Sequence, residues 1–197
     1  MDRDQVLPRS PELMGPHDTA LLVIDVQERL LPAIGNRETL VWNIRRLIDA
    51  AKILNVAVAA TEQYPKGLGA TAAPLAERLG PRLEKLMFSC RECSALLDDW
   101  RRAGIHRVLL CGIETHVCVQ QTALDLLGLG FRVYVAADAV GSRYEADYRT
   151  ALRRMELCGA VLTTAESAMF EWCVRAGTPE FREISRLAKE SPPSEIA

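Results

Sequence analysis

Short apolar runs alternate with longer stretches of helical periodicity along almost the whole chain. ALLVID (20–25) is uniformly apolar up to a terminal acid, as expected for a central parallel strand buried on both faces. Residues 36–55 place Leu40, Val41, Ile44, Leu47, Ile48, Ala51 and Leu54 near helical spacing, with Asn36 in position to cap them. VAVAAT (56–61) reads as a second strand, QYPKGLGAT (63–71) as a loop, and LEKLMF (83–88) as a short third strand. A helix over 93–103, ended by Gly104, leads to a strand in HRVLLCG and a helix over 116–128. A strand over 131–138, a helix over 145–158 and a strand over 160–164 follow, then helices over 165–176 and 179–189. Residues 1–17 read as an extended N-terminal arm, 18–190 as one domain, and 191–197 as a frayed tail.

Strand and helix alternating in this way predict an α/β protein, a three-layer α/β/α sandwich around a parallel six-stranded sheet. At 197 residues the chain suits one domain, large enough to bury roughly 70% of its unfolded surface. A formal charge of −2, with no basic stripe, points to no nucleic-acid partner. No run approaches the ~18 apolar residues of a membrane helix, and the N-terminal residues lack the apolar core of a signal peptide. The expected setting is therefore cytoplasmic, with Cys90, Cys93, Cys111, Cys118, Cys158 and Cys173 reduced.

Candidate chemistry centres on GIETHVC (112–118), between an apolar run and a helix-like one. Cys118 falls in the first turn of the expected helix, where free N–H groups and the dipole favour a thiolate. Taken alone, a buried packing thiol is the competing assignment. Asp25 closes the first apolar run, where a carboxylate either caps a turn or faces a partly dry cleft. Lys85 shares one strand face with Leu83 and Met87, opposite Glu84, Leu86 and Phe88, and both faces are mostly apolar. Its alternatives are to snorkel or to be enclosed. If the three runs are neighbouring parallel strands, the three side chains meet at one edge of the sheet.

ALLVIDVQERLLP, TEQYPKGLG, EKLMFSC, GIETHVCVQQTALDLLGLGFRVYVAADAVGSR and AVLTTAES occur in this order and cover most of residues 18–170. Together they resemble the isochorismatase-like cysteine hydrolases, and TEQYPKGLG resembles the isochorismatase domain-containing subgroup. The resemblance implies strand order 3-2-1-4-5-6, which puts the first and fourth strands side by side at the switch point where such sheets bind ligands. It implies amide hydrolysis through a thioester by a triad: Asp25 as general base, Lys85 holding Asp25 ionised, Cys118 as nucleophile. It further implies an oxyanion hole from the Glu114 and Cys118 N–H groups, a cis peptide joining Ile113 to Glu114, and a homo-oligomer acting on a small-molecule substrate.

Gln63, Tyr64 and Phe88 flank the ends of the second and third strands and are candidates for substrate binding. No metal or cofactor is expected: the loop after the second strand has Gln63 and Pro65 where nicotinamidases of the superfamily place an acid and a histidine. The histidines are 17, 106 and 116, none of them in that loop. His116 and Cys118 are two residues apart and would point apart on a helix. Cys90 and Cys93 form a CxxC without a second pair, and no GxGxxG is present. Two other functions stay open: a catalytically silent metabolite-binding or interaction module with the same fold, and a thiol redox protein using Cys90 and Cys93.

Overall fold

The computed structural model of the protein describes residues 8–193. Six parallel strands form one sheet: β1 (Thr19–Ile24), β2 (Ala57–Gln63), β3 (Leu83–Lys85), β4 (Arg107–Ile113), β5 (Arg132–Gly141) and β6 (Val161–Thr163). Their order is β3-β2-β1-β4-β5-β6, so β1 and β4 flank the switch point as expected. Every residue of β1 and β4 is buried. Leu21 and Val23 join one core, against α1 (Arg37–Ile53), α7 (Ala165–Cys173) and α8 (Pro179–Ala188). Ala20, Leu22 and Ile24 join the other, against α4 (Ser94–Arg102), α5 (Gln120–Gly128) and α6 (Glu145–Leu157). Apolar faces on both sides of one strand are what make three layers.

Several boundaries differ from the sequence expectation, each for a local reason. The third strand stops at Lys85 rather than 88, because the Glu92 carboxylate takes the Leu86 and Met87 N–H groups (2.7 Å each) that a strand partner would otherwise hold. The fifth runs on to Gly141, pairing Val140 and Gly141 with Gly112 and Ile113 beyond a register shift whose extra residues lie within 136–139 of β5. The loop after β2 contains the single turns α2 (Pro65–Leu68) and α3 (Ala73–Ala76). The helix expected from 116 begins as a π turn, Thr115–Val119. Asn36 occupies the α1 cap position but makes no side-chain capping bond.

The N-terminal arm is not extended where it is described. Met14 is fully buried and its N–H donates to Glu171 Oε2 (2.8 Å). Arg107 donates to Pro11 O (2.6 Å) and the Tyr134 hydroxyl to Glu12 O (2.6 Å). Residues 8–17 thus lie on the protein's own body, while 1–7 and, in the expected tail, 194–197 fall outside the described residues. Among the described residues no helix is long and apolar enough to cross a membrane.

Candidate functional site

The site is built where the chain leaves the sheet. After Ile24, Asp25 adopts φ 52°, a left-handed conformation that an aspartate tolerates better than most residues, and the chain turns out of β1. On the neighbouring strand Gly112 takes φ 121°, and a Cβ there would stand 2.0 Å from the Ile24 carbonyl oxygen. Only glycine lets β4 approach β1 this closely while turning toward the following helix. The Ile113–Glu114 peptide is cis. Glu114 is held by its side chain, which accepts from the Arg143 N–H (3.1 Å) and Nε (3.0 Å). The Glu114 N–H makes no hydrogen bond among the described residues.

Asp25 and Lys85 are together, and neither side chain reaches solvent. Lys85 Nζ donates to Asp25 Oδ2 (2.6 Å), Gln63 Oε1 (2.7 Å), Phe88 O (2.9 Å) and Met87 O (3.2 Å). Thr61 Oγ1 donates to Asp25 Oδ1 (2.7 Å). Lys85 is therefore enclosed rather than snorkelling. Burial pulls its ammonium down, but Asp25, with the Cys90 and Cys118 sulfurs, outweighs that and leaves its pKa raised.

Cys118 is 5% exposed and borders the same pair. Burial raises its pKa and the Asp25 carboxylate raises it further, while Lys85 pulls only partly back. This runs against the expectation from helix position: dehydration and a carboxylate favour the protonated sulfur more than the lysine opposes it. Cys118 also lies within the π turn, two residues before α5, rather than inside that helix's first turn.

Gln63 departs from its expected role. It is 7% exposed, and its amide is engaged at both ends, accepting from Lys85 and donating to Leu86 O (2.8 Å). It faces the lysine rather than an open cleft. Tyr64 and Phe88 are each about half exposed, on the loops that leave β2 and β3. Tyr64 also lines a cavity of about 300 Å³ with Lys66, Glu84, Leu86 and Glu92. His116 turns away to Ser142 Oγ (Nδ1, 3.0 Å).

Three contributors were not legible in the sequence: Thr61, Gln27 and Cys90. Cys90 is 1% exposed, its Sγ lies 3.7 Å from Thr61 Oγ1, and its N–H donates to Thr122 Oγ1 (2.9 Å), one turn beyond Cys118. Because the Thr61 proton is given to Asp25, the Cys90 thiol donates to Thr61. Burial, reinforced by Asp25, pushes Cys90 up to about 12. It belongs to the Asp25 cluster; it and Cys93 are both free thiols. Among the described residues no three His, Cys, Asp or Glu side chains gather as a metal-binding group.

The doubly wound parallel sheet thus gathers an acid, a lysine and a thiol at its switch point. The chain belongs to the isochorismatase family, whose domain matches residues 19–167. It is similar to isochorismatase domain-containing protein 1 of Danio rerio, 37% identical over 185 residues, 91% of this chain and 64% of the fish protein's length. It is also similar to the secreted isochorismatase effector Isc1 of Phytophthora sojae, 40% identical over 181 residues, 89% of this chain and 86% of that one. Among solved structures, the MAR1 ribonuclease of Caenorhabditis elegans superposes with TM-score 0.86 at 40% identity, covering 93% of this chain and 96% of the other.

Proposed function

We propose that the protein is a metal-independent cysteine hydrolase that cleaves a small amide-type C–N bond through a thioester on Cys118. The observation that carries this is one buried cluster: a thiol bordering a carboxylate that is ion-paired to a lysine at 2.6 Å. In structural proteins such a pair is costly to bury and gives little net stability.

The raised thiol keeps its proton until a substrate is seated. Asp25 then takes the proton from Cys118 Sγ as the sulfur attacks the carbonyl carbon. Lys85 balances the negative charge that moves from carboxylate to sulfur. The Glu114 and Cys118 N–H groups are the proposed donors to the developing oxyanion. As the tetrahedral adduct collapses, the C–N bond breaks and Asp25 returns the proton to the leaving nitrogen. Water, deprotonated by Asp25, attacks the thioester and releases the acid and the Cys118 thiol. Tyr64 and Phe88 are the candidate substrate contacts at the rim.

The decisive experiment is a panel of small amides and ureides with wild type and Cys118→Ala, coupled to intact-mass detection of an acyl adduct. Turnover or an adduct that survives in Cys118→Ala would overturn the assignment. Full loss of turnover with retained ligand binding is the expected result.

The worm relative's name brings a second function, RNA cleavage. A thiolate is a soft nucleophile, poorly matched to phosphorus, and the net charge of −2 offers no polyanion track. Degradation of a purified RNA by wild type but not Cys118→Ala would favour it. We further propose a cytoplasmic homo-oligomer, with the exposed Leu86 and Met87 in its contact surface. A light-scattering mass of 21.8 kDa at every concentration would remove the oligomer.

A further inference from the structure

We infer that Gln27 and Gln63 form a positioning relay that aims the Lys85 ammonium at Asp25 and Cys118; this rests on the hydrolase assignment above. β1 leaves the sheet at Asp25, one residue after its last pairing, Ile24 with Thr61. The last residue of β2, Gln63, is thereby deprived of a main-chain neighbour on that side. The Gln27 carboxamide takes the vacant place. Its Oε1 accepts from the Gln63 N–H (2.8 Å), and its Nε2 donates to the Gln63 carbonyl (3.0 Å) and to Gly69 O (2.7 Å). One side-chain amide thus stands in for a peptide unit of β1 and carries the ladder one step beyond the strand's end.

The Gln63 side chain is fixed in consequence. Its Nε2 is anchored on Leu86 O and its Oε1 points at Lys85 Nζ, 2.7 Å away. The acceptor is neutral. A carboxylate at the same place would neutralise the ammonium and oppose the thiolate that must form on Cys118. A carboxamide orients the ammonium and leaves its charge for Asp25 and the sulfur. Gln27 is fully buried and Gln63 nearly so, so water does not substitute for either.

The chemistry of Cys118 itself gives a test that needs no substrate. The second-order rate of Cys118 alkylation by iodoacetamide is measured by peptide mapping at mildly alkaline pH. The variants are Gln63→Met, Gln63→Glu, Gln27→Met, Lys85→Met and Gln63→Met/Lys85→Met, each checked for a native unfolding transition. Gln63→Met should slow alkylation about tenfold, the worth of one hydrogen bond to a charged group. Gln63→Glu keeps shape and acceptor, yet should slow it at least as much and move its pH dependence upward. Gln27→Met should resemble Gln63→Met more weakly. In the Lys85→Met background Gln63→Met should add nothing, a non-additivity that loss of packing would not produce. Additive effects, or a Gln63→Glu variant that alkylates like wild type, would overturn the relay while leaving the hydrolase assignment standing. A wild-type Cys118 that never alkylates in folded protein would overturn both.

Discussion

Lys85 Nζ and Asp25 Oδ2 lie 2.6 Å apart, with neither side chain exposed to solvent. Among the described residues no second carboxylate hydrogen-bonds to Lys85; its remaining partners there are one amide and two main-chain carbonyls. Removing either charge leaves the other dehydrated and uncompensated. Asp25→Asn and Lys85→Met should each cost about 3–5 kcal/mol of stability. The double variant should cost clearly less than the sum, because it leaves no orphan charge. Urea unfolding of the three variants checks this. On any substrate turned over by wild type, Asp25→Asn should also lower turnover about 10²–10⁴-fold.

Gly112→Ala is expected to be among the most damaging substitutions outside the reacting groups. The new methyl would meet Ile24 backbone atoms at 2.0–2.8 Å, and φ 121° strains any L side chain. A loss of more than ~4 kcal/mol, or failure to accumulate as folded protein, should follow. A variant with a wild-type denaturation midpoint would show that β1 and β4 yield there.

Cys118 should not behave as a free thiolate at rest. Because burial and Asp25 raise it, its alkylation rate should climb through the alkaline range with no plateau near neutrality. The exposed Cys158 should label first at neutral pH, and the dehydrated Cys90 should stay silent while the protein is folded. Timed labelling with peptide mapping across pH decides; a neutral plateau for Cys118 would contradict the burial argument.

Stability should fall on the alkaline side. Cys90, Cys111 and Cys118 are all raised above the ordinary thiol value of 9.0, chiefly by burial. Near and above that value the unfolded chain releases protons that the folded protein keeps. The unfolded state then binds fewer protons, so unfolding free energy decreases as pH rises. Cys111, fully buried in β4 and donating weakly to Leu22 O (3.7 Å), offers a clean probe. Cys111→Val should flatten the fall in melting temperature between neutral and mildly alkaline pH.

The sequence by itself determined the layering, the sheet and the place of the chemistry. Short apolar runs such as ALLVID and HRVLL, bounded by turn signals, read as strands buried on both faces, and the helical runs between them supply the covering layers. The strand order implied by the family resemblance then puts ligand chemistry at the carboxyl ends of β1 and β4, where Asp25 and Cys118 stand. Tertiary structure decided what the neighbours do. Gln63 was legible as a residue at a strand end, but its partner depends on where β1 leaves the sheet, and that exit is set by the Asp25 turn against Gly112. Gln27 lies two residues after Asp25, and nothing in its spacing marks a side chain standing in for a peptide. The state of Cys118 was likewise out of reach. Helix position favours a thiolate, whereas burial and a carboxylate oppose it, and their balance is set by long-range packing that no local pattern records.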